Sequence, residues 1–151
     1  VAPRIGLIYN YYRTDNMIRF LEQILEVGHS IQQMAGKPVR ILLKHKRSYN
    51  SKHDQKYIDL VARLSAKGQL FELVDHQTPI YRLVADSAVS IVVPYSSPAY
   101  VASHMGKPAI FFDPSNQLLD THEHARGVTF AAAKQQLFDQ ITHLVLHTRA
   151  L

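Results

Sequence analysis

The stretch at residues 85–114, ADSAVSIVVPYSSPAYVASHMGKPAIFFDP, constrains the fold more than any other part of the chain. An apolar run at 88–93 breaks at Pro94, and Ser96 and Ser97 open a helical pattern over 98–105. A turn at Gly106-Lys107-Pro108 follows, and a second apolar run fills 109–112. That order predicts a strand, a helix and a parallel strand, with a hydroxyl-bearing loop at the carboxyl end of the first strand. In open parallel sheets ligands bind outside the carboxyl ends of the strands. A loop there that gathers backbone N–H groups at a helix start suits phosphate or sugar oxygens.

The same alternation runs through the rest of the sequence. Strands are predicted at 4–9, 38–43, 70–74 and 127–131. Helices are predicted at 16–35, where Met17, Phe20, Leu21, Ile24, Leu25 and Ile31 recur every three to four residues before Gly36, and at 51–67. In the second of these, Tyr57, Ile58, Val61, Ala62 and Leu64 form the apolar face, Ser51 is the expected N-cap and Gly68 the terminator. Further helices are expected at 79–86 and 134–147. Strands apolar throughout and separated by helices imply a parallel sheet covered on both faces. The expected class is α/β: a three-layer, Rossmann-like domain with a doubly wound parallel sheet of 5–6 strands. The 151 residues suit one such domain. The chain begins at Val1 without an initiator Met, as expected for a fragment of a larger two-domain protein.

Four loops at the carboxyl edge of this sheet carry chemistry: 10–15, 44–51, 94–98 and 113–117. The second is basic. Lys44, His45, Lys46 and Arg47 belong to a cluster over 40–56 that holds most of the net charge of +5 against Asp54 alone. Such a focus fits an anionic partner such as a diphosphate, and its bland reading is a solvated loop. Ser96 and Ser97 are expected ligand donors, chiefly Ser97, with a simple N-cap as the alternative. Tyr95 and Asp113 flank the same edge, and Tyr11 and Tyr12 are candidates for stacking on a base. His45 suits either proton transfer or a local hydrogen bond. His122 and His124 flank Glu123, but no third ligand stands at a recognisable spacing, so no metal is expected.

Other classes are disfavoured. The chain lacks Cys, and with it disulfides and thiolate metal sites. No apolar run approaches the roughly 20 residues of a membrane span. P-loop, dinucleotide-binding and nucleophile-elbow glycine patterns are missing. The basic residues are not interleaved with aromatics, so no nucleic-acid partner is expected.

Pro94-Tyr95-Ser96-Ser97, followed by Gly106-Lys107-Pro108, resembles the Pro-Phe-Thr-Ser motif of bacterial surface (capsular) polysaccharide biosynthesis proteins. More broadly it resembles the carboxyl-terminal, donor-binding half of GT-B type glycosyltransferases. Residues 81–87 are similar to the helix that leads into the motif strand there, and 42–47 to the basic loop. A weaker likeness is to bacterial sialyl- and Kdo-transferases, although His45 is followed by Lys46 where those have Pro. The resemblance implies a nucleotide-sugar donor as substrate, no cofactor, and a donor and phosphate site of Lys44, His45, Lys46, Arg47, Tyr95, Ser96, Ser97 and Asp113. It implies an acceptor domain amino-terminal to this one, so the isolated domain should bind without turning over. It also implies a cytoplasmic location, peripheral at the inner face of the membrane in the longer protein. One departure is Val101, where many GT-B enzymes carry a Glu for the ribose hydroxyls. The rival readings are a non-catalytic Rossmann-like module for an anionic metabolite or a protein partner, and half of a sugar-nucleotide epimerase, which would need carboxylates in the cleft.

Overall fold

The computed structural model describes residues 4–9, 14–45, 54–66, 68–116 and 126–146. Strands β1 (Arg4–Tyr9), β2 (Arg40–His45), β3 (Phe71–Val74), β4 (Val89–Val92), β5 (Ala109–Phe112) and β6 (Val128–Ala131) form one sheet in the order β3-β2-β1-β4-β5-β6. Every described pairing is parallel. The helices are α1 (Thr14–Ala35), α2 (Gln55–Leu64), α3 (Ile80–Ala85), α4 (Pro98–His104) and α5 (Lys134–Leu146). The α/β class and parallel strands are as expected.

The strands are largely apolar, β4 and β5 buried along their whole length, because two cores use them from opposite sides. Met17, Phe20, Leu21 and Ile24 of α1, Tyr57 and Leu60 of α2 and Leu137 of α5 pack with Ile41, Leu43, Ile91 and Ile110. Leu83 and Val84 of α3 and Ala99 and Ala102 of α4 pack with Leu42, Val92 and Phe111, the alternate residues of the same strands. In α1 a Cβ on Gly28 would lie 3.0 Å from Ile41 Cδ1 and 3.2 Å from Leu70 Cδ1, so the missing side chain lets the helix settle close to β2. Gly36, at φ 66°, ends α1 in the left-handed region that glycine adopts without steric cost.

Most boundaries shift by one or two residues, and two of the shifts bear on the site. α2 is shorter than 51–67 and is capped by Asp54, whose carboxylate accepts from the Lys56 N–H at 2.8 Å; Ser51 lies outside the described residues. Its buried stripe is Tyr57, Leu60, Val61 and Leu64, with Ala62 exposed. That is the i, i+3, i+4, i+7 spacing of a helix on a sheet. β2 starts at Arg40 instead of residue 38 and runs on through Lys44 and His45. Backbone pairing holds both residues in the sheet: Lys44 lies opposite Ile8 and Val74, and His45 opposite Tyr9.

Candidate functional site

The strand order reverses between β1 and β4, the switch point at which parallel sheets of this type open a crevice beyond their carboxyl ends. The described candidates reach this edge from three strands: Lys44 and His45 end β2, Tyr95, Ser96 and Ser97 follow β4, and Asp113 follows β5. Lys46, Arg47, Tyr11, Tyr12, His122 and His124 lie outside the described residues. β2 and β4 are not neighbours, because β1 lies between them. At about 4.8 Å per strand their ends are roughly 10 Å apart.

Lys44 and His45, expected in an exposed loop, are buried strand residues at 8% and 4% exposure. Lys44 Nζ donates to the His45 carbonyl at 3.3 Å. Burial pushes the Lys44 ammonium below the usual lysine range, and the nearby Asp75 carboxylate restores only part of the shift. His45 Nε2 and the Tyr57 hydroxyl are hydrogen-bonded at 2.7 Å with the rings edge to face. Burial raises the Tyr57 pKa, so the phenol stays neutral. Tyr57 was visible in the sequence only as part of an apolar face. Its partnership with His45 spans twelve residues and needs the packing of α2 against β2. Beside this pair, His45, Leu73, Val74, Asp75, His76 and Gln77 line a shallow depression over the ends of β2 and β3.

The segment after β4 is built differently. Val93 to Ser96 makes a β-turn in which the Ser96 N–H donates to the Val93 carbonyl at 3.2 Å. Pro94 takes the second position and Tyr95, at φ 62°, the third. Proline followed by a positive φ is the type II pattern, whose third position ordinarily holds Gly or Asn. A tyrosine there costs roughly 1–2 kcal/mol. Its ring centroid lies 5.3 Å from that of Phe111 and 6.1 Å from that of Phe130, contacts worth about 0.5–1.5 kcal/mol each that offset the strain. Ser96 is buried and its hydroxyl donates to the same Val93 carbonyl at 2.5 Å. Ser97 is exposed at the N-cap position of α4 and makes no side-chain cap bond among the described residues.

Asp113 is 2% exposed and closes the turn after β5, accepting from the Ser115 N–H at 3.0 Å and from its hydroxyl at 2.5 Å. A narrow pocket next to it is lined by Asn16, Met17 and Phe20 of α1, Val93 and Pro94, and Phe112, Asp113 and Pro114. Its walls are mostly apolar, with Asp113 and Asn16 as the polar exceptions. Val101, in the middle of α4, is half-buried and offers nothing to a ribose hydroxyl.

A family model for polysaccharide biosynthesis PFTS motif proteins matches residues 1–141 of this chain. The chain belongs to that family. No curated protein matches the sequence. In fold, the PFTS motif chain is similar to the Methanocaldococcus jannaschii UDP-GlcNAc 2-epimerase solved in complex with UDP-GlcNAc and UDP. The TM-score is 0.67 at 15% identity, covering 100% of this chain and 41% of that one. It is also similar to a Listeria monocytogenes protein assigned as a UDP-N-acetylglucosamine 2-epimerase, at TM-score 0.63 and 16% identity, covering 98% of this chain and 38% of that one. The chain therefore spans about two fifths of these structures, and the likeness establishes a Rossmann-like fold of the GT-B kind. Among the described residues of the PFTS motif chain, no helix is long and apolar enough to cross a membrane.

Proposed function

We propose that this chain is the donor-binding domain of a GT-B-like glycosyltransferase of surface polysaccharide synthesis, and that it forms the carboxyl-terminal half of a protein whose other half binds the acceptor. The observation that carries the reading is the meeting of the motif turn, with exposed Ser97, and the Asp113 pocket at the carboxyl edge beside the β1/β4 switch point. A nucleoside diphosphate sugar lying across that edge would set its phosphates near Ser97, and Lys46 and Arg47, which follow β2 in sequence, are the cations expected to neutralise them. There, hydrogen-bond donors stabilise the charge that develops on the leaving phosphate. No cofactor takes part in this reading, and the protein works in the cytoplasm, peripheral to the inner face of the membrane.

A second reading, a non-catalytic module for an anionic metabolite or a protein partner, draws on Lys44, His45 and Asp113, whose polar groups engage neighbours within the fold. Calorimetric titration of this chain with a panel of nucleoside mono- and diphosphates tests both. Saturable binding of a nucleoside diphosphate, weakened in Lys46→Ala/Arg47→Ala, supports the donor reading, and its absence ends it. Adding nucleotide sugar to the longer protein then separates transfer to an acceptor from epimerisation of the sugar without one. The epimerase alternative follows the fold of the two structural relatives, each named a UDP-GlcNAc 2-epimerase.

A further inference from the structure

The motif residues Pro94, Tyr95, Ser96 and Ser97 divide their work unequally. Pro94 sets the second position of the turn. Ser96 spends both its N–H and its hydroxyl on the Val93 carbonyl, at 3.2 Å and 2.5 Å, and is buried. Tyr95 takes the position that ordinarily demands Gly or Asn, at φ 62°. Its ring lies back over Phe111 of β5 and Phe130 of β6, at 5.3 Å and 6.1 Å, and it does not line the pocket beside Asp113. Tyr100 packs on Phe111 as well, at 6.0 Å, so the Phe111 ring is braced from two sides. Of the four, Tyr95, 40% exposed along the part of its ring turned from Phe111 and Phe130, and Ser97, two residues on, are the exposed ones, and Ser97 is the one at the start of α4.

We infer that Tyr95 is a positioning residue: its ring, clamped on Phe111 and Phe130, holds the turn after β4 in one conformation and thereby presents the Ser97 hydroxyl to an anionic ligand at the carboxyl edge. The inference rests on the donor-site reading for the identity of the ligand, and on the turn geometry alone for the role of the ring. Gly or Asn accepts a positive φ at this place more readily than Tyr, yet without the ring lets the turn sample other conformations. The aromatic position of the motif is then a matter of order in the turn, with the phenol hydroxyl dispensable.

The test compares Tyr95→Gly and Tyr95→Asn, which accept a positive φ without the ring, with Tyr95→Phe, which keeps the ring. Each is made in this chain with and without Ser97→Ala, and the titrants are UDP and inorganic pyrophosphate. Tyr95→Phe should bind like the parent, whereas Tyr95→Gly and Tyr95→Asn should bind about three- to tenfold more weakly, the effect of one misplaced hydrogen bond. Ser97→Ala should cost a similar factor in the parent and much less in the Gly and Asn backgrounds, since neighbours acting through one another are non-additive. Equal loss in Tyr95→Phe would make the hydroxyl a ligand contact and overturn the inference. So would full affinity in Tyr95→Gly, or a Ser97→Ala penalty that is the same in every background.

Amide hydrogen exchange supplies the readout that needs no ligand. The Ser96 N–H should exchange faster in Tyr95→Gly and Tyr95→Asn and at the parental rate in Tyr95→Phe. If the parent binds neither titrant, the donor reading fails while the exchange rates still decide the role of the ring. Unchanged exchange in all three variants would refute it.

Discussion

The carboxyl ends of β2 and β4 reach the same edge of the sheet and use their polar residues in opposite ways. At β2, Lys44 and His45 turn into the fold, where a backbone carbonyl and the Tyr57 phenol receive them. At β4, the chain bends through a strained tyrosine, satisfies its own turn with Ser96 and leaves Ser97 in solvent. The contrast separates residues whose chemistry holds the scaffold together from residues whose chemistry remains open to a ligand. A basic cluster in sequence is therefore a poor guide to which of its members can meet an anion.

That difference yields effects of descending size. The largest is at Tyr57, which is fully buried: Tyr57→Ala should destabilise by about 3–5 kcal/mol, as other large core truncations do, measured by urea unfolding. A cost below that of Tyr95→Ala would erase the distinction between the two strand ends. Tyr57→Phe keeps the core volume but removes the His45 bond, and should cost about 1–3 kcal/mol.

The same phenol sets an alkaline limit. Its folded pKa is raised above the ordinary value of 10.0, so above that pH the unfolded chain releases a proton that the native state retains. Its contribution to stability is intact below pH 10 and falls by roughly 1.4 kcal/mol per pH unit above it. Unfolding curves taken from pH 9 to pH 11 should show this component in the parent and lack it in Tyr57→Phe.

Smaller effects are expected at the motif turn. Ser96→Ala removes one hydroxyl bond from a carbonyl that keeps its backbone donor, and should cost about 0.5–1.5 kcal/mol in the same unfolding experiment. Ser97→Ala should leave stability within about 0.5 kcal/mol, because the exposed hydroxyl caps nothing. A large loss there would put Ser97 with the scaffold residues of β2 and remove the ground for a ligand role.

Local signals carried most of the element boundaries. β1 and β5 occupy the predicted residues, and α4 begins at Pro98 as its missing N–H allows. Apolar periodicity located α1, and Gly36 ended it where expected. The sequence also indicated that the residues around Ser97 and Asp113 would share an edge, since parallel strands joined by helices carry all their following loops to the same side.

Tertiary structure decided the rest. Lys44 and His45 look like loop residues in a linear reading because both are polar. They belong to β2 because β1 and β3 supply backbone partners and α2 supplies Tyr57. The insertion of β1 between β2 and β4, which sets the width of the candidate site, comes from pairing between segments tens of residues apart. The left-handed Tyr95 is equally invisible to propensity, because what holds it there is Phe111 and Phe130 on two other strands. Short-range patterns determine which segments become strands and helices. Which polar groups are consumed inside and which are left for a ligand depends on contacts between distant segments, and only the packed sheet brings those segments together.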